Sequence, residues 1–129
     1  MQINPLTPSQ LHGISTAALA HVGDAVYELI MRTKLCLTAP TAKKLHEQTT
    51  KLVCAAAQAK AAKEIQPHLT EEESAVFTRG RNAKTHAPPK TSNHADYALA
   101  TALEALFGWL YLKGETMRLH ELSELCFQH

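Results

Sequence analysis

YALATALEALFGWLYL, residues 97–112, is apolar around nearly its whole circumference when wound as a helix, with Thr101 and Glu104 as its strongly polar side chains. A helix that is hydrophobic all round is buried, so this stretch predicts the central element of an all-α fold. The acid is the anomaly. An ionised carboxylate removed from water costs several kcal/mol unless something cationic compensates it. Thr101, Glu104 and Gly108 are three and four residues apart and share one face. An exposed polar stripe is a poor account of a lone Glu here, which makes Glu104 the strongest single pointer to function in the chain.

The other long apolar stretch, AALAHVGDAVYELIM at residues 17–31, carries Asp24. Its polar residues His21, Asp24 and Glu28 also fall on one helical face. Two accounts stand side by side: the solvated stripe of an amphipathic helix, or a functional acid. Gly23 favours the second, because Gly in a helix interior costs about 1 kcal/mol relative to Ala and needs a packing reason to be there. Glu28, one turn beyond Asp24, is a weaker candidate, since Arg32 four residues on can pair with it.

Working outward, helical spacing holds nearly throughout and no alternating run supports a strand. Thr7 before Pro8 starts a short turn, and Ser15 or Thr16 caps a long helix to about Leu35. Cys36 to Pro40 is a break. Thr41 opens a segment that the threonines predict to be re-capped near Thr49 or Thr50 and ended by Pro67. Thr70 with Glu73 is a capping box, and that helix is predicted to stop near Gly80. The residues from Asn82 to Asn93 form a loop, Thr91, Ser92 or Asn93 caps the central helix, and Lys113 with Gly114 separates it from a terminal helix over 115–127.

Residues 1–129 are expected to form one domain, large enough to bury a core without disulfides. Charged residues make up 19% and the net charge is only +1, which by itself argues against a nucleic-acid partner. The distribution points the other way: residues 74–95 contain no acid, yet hold Arg79, Arg81, Lys84 and Lys90. The plain alternative is a solubilising basic loop. Whether Lys43, Lys44, Lys51, Lys60 and Lys63 extend this surface is left undecided by the sequence. Aromatic content of 5% disfavours a base-stacking, single-strand platform. Cys36, Cys54 and Cys126 are expected to be buried, reduced thiols of an intracellular protein. No secretion signal and no membrane span are expected.

The eight histidines form no HxxxH or HExxH pair, so scattered surface positions account for them better than zinc does. No GxSxG-like signal supports a Ser or Cys nucleophile. Carboxylates with a hard cation remain, and beside a basic loop that chemistry suits phosphodiester hydrolysis. Mg²⁺ takes oxygen ligands, keeps several waters and neutralises charge on a phosphate in its transition state.

HVGDAVYEL (21–29) resembles the signature helix of the ribonuclease III family, and ALEALFGWLYL (102–112) resembles its second acidic helix. FTRGRNAK (77–84), followed by a Pro-rich basic loop, is similar to the short Mini-ribonuclease III branch, which lacks a double-stranded-RNA-binding domain. The resemblance implies an all-helical homodimer that cleaves double-stranded RNA with Mg²⁺, leaving 5′-phosphate and 3′-hydroxyl ends. It places Asp24 and Glu104 as catalytic metal ligands, directly or through water. Arg79, Arg81, Asn82, Lys84 and Lys90 become the RNA-contacting set, reading backbone and 2′-hydroxyls more than sequence.

The branch implies a precursor of large-subunit ribosomal RNA as substrate, in the bacterial cytoplasm or, in a plant, a plastid. Whether a ribosomal protein presents that substrate is left open. Longer family members carry acids where this chain has Ala20 and Thr101, so the metal would have fewer carboxylates and more waters. Two other classes compete: a nuclease-fold RNA-binding or ribosome-assembly protein without activity, and a helical protein-interaction module. Keeping both Asp24 and Glu104 argues against the first, and the basic loop against the second.

Overall fold

The computed structural model describes residues 4–83 and 93–127. They form α1 (Pro8–His12), α2 (Thr16–Cys36), α3 (Ala42–Val53), α4 (Ala55–Ile65), α5 (Glu71–Asn82), α6 (His94–Lys113) and α7 (Thr116–Cys126), with a 3-10 turn at Gln66–His68 between α4 and α5. No strand occurs among the described residues. Lys84 and Lys90, two of the basic positions singled out above, lie outside the described residues.

The apolar circumference of α6 has its expected consequence. From Ala100 to Leu110 only Glu104 and Trp109 are not fully buried, and α2, α4 and α5 pack around this helix. Tyr27 and Met31 of α2, Ile65 of α4, Phe77 of α5, Leu122 of α7, and Leu103, Leu106 and Phe107 of α6 form one core cluster. Each such side chain contributes about 1.5–3 kcal/mol by leaving water. The Tyr27 ring meets Phe107 edge-on, with centroids 5.2 Å apart.

The helix starts follow the capping residues. Thr7 and Thr70 each make a complete capping box, with Gln10 and Glu73 respectively. Ser15, Thr41 and Asn93 accept from the backbone N–H of Ala18, Lys44 and Asp96. Gly114 ends α6 at φ 86°, a left-handed conformation open to Gly at little cost. Glu73 has a second duty: Arg118 of α7 donates to it through Nε at 2.8 Å and Nη2 at 2.9 Å, and to the His68 carbonyl at 2.7 Å. Burial pushes the Glu73 carboxyl up, but the bonds from Arg118 and Thr70 outweigh it and hold the group below its ordinary range.

Two expectations fail for identifiable reasons, and a third is refined. The break between α3 and α4 falls at Cys54, whose backbone is extended at φ −69°, ψ 160°, and not at Thr49 or Thr50. Thr50 satisfies its hydroxyl inside the helix by donating to the His46 carbonyl at 3.0 Å, so it does not compete as a cap. α5 ends at Asn82, close to the expected stop near Gly80, but Gly80 is not its cap. A Cβ there would lie 2.8 Å from Ala102 Cα, so this glycine permits close approach to α6. The cysteines are unpaired, but Cys36 and Cys54 are exposed and only Cys126 is partly covered. Both exposed thiols sit at helix ends, where Cys36 donates to the Thr33 carbonyl and Cys54 to the Lys51 carbonyl.

Candidate active site

Gly23 and Gly108 decide where the two acids meet. A Cβ built on Gly23 would lie 1.6 Å from the Glu104 carbonyl oxygen, and one on Gly108 would lie 2.0 Å from the Leu19 carbonyl oxygen. The backbones of α2 and α6 therefore touch at this crossing, and any side chain at either glycine would force them apart. The residue after Gly23 is Asp24, and the backbone it touches is that of Glu104. Helix packing alone delivers two carboxyl groups from distant parts of the chain to one point.

The two carboxyls have unequal surroundings. Asp24 is exposed on the outer side of α2, whereas Glu104 is mostly covered. Burial, the nearby Asp24 charge and a hydrogen bond between the two carboxyl groups push the Glu104 carboxyl up to about 8. Two carboxylates at one place repel, which favours the protonated form of Glu104 in the absence of a cation. Gln58, from α4, hydrogen-bonds the Glu104 side chain and favours its charged form. Gln58 is only 3% exposed.

Sequence reasoning missed Gln58. The signal was present: with Ala59, Ala62 and Ile65 it forms the buried face of α4, so an uncharged polar side chain occupies a core position.

The positions where fuller sites carry acids add no oxygen ligand here. Ala20 is buried. Thr101 is buried too, and its hydroxyl donates to the Tyr97 carbonyl at 3.0 Å. Glu28 pairs with Arg32 at 2.5 Å, as the plainer account of it held. Among the described residues no group of three or more His, Cys, Asp and Glu side chains gathers at one point. What the residues offer a hard cation is a pair of neighbouring carboxyl groups, one at the surface and one beneath it. That donor set fits a divalent ion keeping much of its water shell.

Arg79, Arg81 and Asn82 are all exposed on the last turn and a half of α5. They do not form a single patch. With Gly80 turned onto α6, Arg79 and Arg81 project to opposite flanks, about 200° apart on the helix. Arg79 lines a cleft with Leu19, Trp109 and Lys113, where the Lys113 ammonium lies 4.6 Å from the centre of the Trp109 ring. Arg81 and Asn82 lead directly into residues 84–92.

The raised Glu104 group predicts a pH effect with a definite sign. Its folded-state pKa lies above its unfolded value, so its contribution is full below the ordinary carboxylate range and is lost as pH rises toward about 8. Without divalent cations, the melting temperature is expected to fall between roughly pH 5 and pH 8, and to fall less in Glu104→Gln. A wild-type profile no steeper than that of the variant would contradict the coupled carboxyl pair.

Comparison with known proteins agrees with this geometry. The Ribonuclease III domain family matches residues 17–115. The Mini-ribonuclease 3 of Gloeobacter violaceus is 44% identical over 126 residues, covering 96% of this chain and 92% of that protein. The Mini-ribonuclease 3 of Thermoanaerobacter sp. is 43% identical over 124 residues, covering 95% and 87%. The crystal structure of protein FN1578 from Fusobacterium nucleatum superposes with a TM-score of 0.81 at 28% identity, over 90% of this chain and 93% of that one. With two thirds or more of each relative covered at such identity, the chain belongs to the ribonuclease III family, in its Mini-ribonuclease III branch, and is an RNA endonuclease.

Proposed function

We propose that the chain cleaves double-stranded RNA with Mg²⁺, and that Asp24 and Glu104 are the protein's ligands to that ion. The observation carrying this reading is the convergence of the two carboxyl groups at the glycine-lined crossing of α2 and α6. When bound, Mg²⁺ would activate water and offset charge on the scissile phosphate, giving 5′-phosphate and 3′-hydroxyl ends. The chain's own part is positional. The α2–α6 contact brings the two carboxyls together, with Glu104 beneath the surface and Asp24 exposed, and both would ligate as carboxylates.

The test is incubation with end-labelled duplex and single-stranded RNA of one sequence, with and without Mg²⁺. The reading expects Mg²⁺-dependent cuts in the duplex alone. Cleavage of both forms, or cleavage in a chelator, would overturn it. A precursor of large-subunit ribosomal RNA is the natural substrate that the Mini branch suggests. An RNA-binding protein without activity is disfavoured by the retention of both acids at one point.

RNA affinity is assigned to Arg81, Asn82, Lys84 and Lys90, with Arg79 on the other flank of α5. These residues suit phosphate and 2′-hydroxyl contacts across the minor groove of a duplex. Arg81→Ala and Lys84→Ala are each expected to weaken duplex binding and to lower the salt slope by about 1, with the Mg²⁺ requirement unchanged. A salt slope equal to wild type would remove that residue from the phosphate contacts.

The active form is proposed to be a homodimer. Ala17, Ala18, His21 and Ala25 form an exposed, mostly small-residue stripe on α2. It continues into Leu29, 66% exposed, and Leu37, 84% exposed, which border an apolar groove with Ile30 and Leu119. Exposed leucines bordering an apolar groove are a protein-interaction feature, and a second copy would place two carboxyl pairs in one assembly. Sedimentation of the purified chain decides it: a species of twice 14.2 kDa supports the dimer, and a 14.2 kDa particle at micromolar concentration contradicts it.

A further inference from the structure

We propose that Gln58 is a positioning residue for the metal site, donating its side-chain amide to Glu104 so that this carboxylate is correctly turned for the divalent ion. The inference rests on the reading of Asp24 and Glu104 as metal ligands.

Three observations converge on it. Gln58 is 97% covered, being 3% exposed, and it lies on the face of α4 that otherwise presents Ala59, Ala62 and Ile65 to the core. A buried primary amide without partners costs about 1–3 kcal/mol, so an apolar side chain would serve the packing of α4 on α6 at least as well. Its side chain reaches the Glu104 carboxyl across the α4–α6 contact. The extended backbone of Cys54 separates α4 from α3, and the Gln58 N–H closes the first turn of α4 on the Cys54 carbonyl at 2.9 Å. That break sets the direction of α4, and with it the approach of Gln58 to α6.

The residue type is what the task requires. An amide donates hydrogen bonds without carrying charge. A lysine here would compete with the cation for Glu104, and a third acid would add repulsion to two neighbouring acids. A carboxylate offers about four lone-pair directions; one taken by Gln58 restricts the rotation of Glu104 and leaves the rest toward Asp24. With Ala20 and Thr101 supplying no further acid, orientation of the two remaining carboxylates matters more than in a site with spare ligands. Groups that hold metal ligands in this way are worth about 10–100-fold in metal affinity or activity.

The test is direct Mn²⁺ binding to the full chain without RNA, read by the electron paramagnetic resonance of free Mn²⁺, on wild type, Gln58→Met, Asp24→Asn and Glu104→Gln. Met keeps the length and most of the volume of Gln and lacks the amide. Gln58→Met is expected to weaken Mn²⁺ binding at least about tenfold and to raise the Mg²⁺ concentration needed for half-maximal cleavage, with KM for RNA unchanged. A purely structural role would move the melting temperature and leave Mn²⁺ affinity alone. Unaltered affinity in a cooperatively folded Gln58→Met, with binding lost in Asp24→Asn and Glu104→Gln, overturns the inference and leaves the metal-site reading standing. Failure of wild type to bind Mn²⁺, or wild-type affinity in the two acid variants, overturns that reading and this inference with it.

Should Gln58→Met fail to fold, wild type itself supplies the measurement. The Gln58 side-chain amide resonances are expected to shift on Mg²⁺ addition in wild type and not in Glu104→Gln. Resonances insensitive to Mg²⁺ in wild type would overturn the inference.

Discussion

Asp24→Asn and Glu104→Gln are each expected to slow cleavage of duplex RNA by about a thousandfold or more, while leaving duplex binding within a few-fold of wild type. Metal-assisted stabilisation of developing charge is worth several kcal/mol, and about 1.4 kcal/mol corresponds to tenfold in rate. With Asp24 and Glu104 as the proposed protein ligands, losing either one removes most of that stabilisation. Both substitutions conserve size, so the crossing of α2 and α6 is kept, and Glu104→Gln removes the ionisable carboxyl that burial and the nearby Asp24 charge push up. The variants are therefore expected to be as stable as wild type or more so in the absence of cations. Single-turnover cleavage beside thermal melts checks both halves. A stable variant with near-wild-type cleavage would end the two-carboxylate account.

Gly23→Ala is expected to be the most damaging single substitution for the fold. Helix propensity alone favours Ala over Gly by about 1 kcal/mol, so the two effects have opposite signs and their sizes decide. A Cβ at residue 23 would sit 1.6 Å from the Glu104 carbonyl oxygen and 2.8 Å from the Gly108 nitrogen, both backbone atoms that cannot rotate away. The helices must separate, and the apolar contacts along α2 and α6 open with them. Overpacking a core typically costs about 1–3 kcal/mol, and a backbone clash lies at or beyond the upper end. A melting temperature lower by about 10 °C or more is expected. A melting temperature equal to or above wild type would mean that the crossing is not as close as described.

Much of this was legible in the sequence because it depends on local rules. Thr7, Ser15, Thr41, Thr70 and Asn93 mark helix starts, since each supplies an oxygen to an N–H the helix leaves open. Glu104 stood out because its helix is apolar on every side, and the core forms around that helix. Asp24 did not stand out in the same way and is in fact exposed. Its nearness to Glu104 comes from Gly23 beside it, whose reason for being Gly is a contact with a helix about eighty residues away.

What could not be read depends on such distant contacts. Gly80 looked like a helix end, because the residue that needs its missing Cβ is Ala102 on another helix. The break at Cys54 has no capping side chain to announce it. Gln58 sits in an Ala-rich run where one more polar residue reads as solubility; only the packing of α4 on α6 turns it toward Glu104. The separation of Arg79 from Arg81 follows from Gly80 being the buried edge of α5, which composition along residues 74–95 does not reveal.

The central claim is that Asp24 and Glu104 together hold a divalent cation. Its most direct test is a crystal of the full chain grown or soaked with Mn²⁺, with the anomalous signal of the ion mapped. The account predicts a peak between the two carboxyl groups, with Gln58 still bonded to Glu104 and the rest of the ion's shell made of water. A peak elsewhere, or none there in crystals of protein that cleaves duplex RNA with Mn²⁺ in solution, would contradict it.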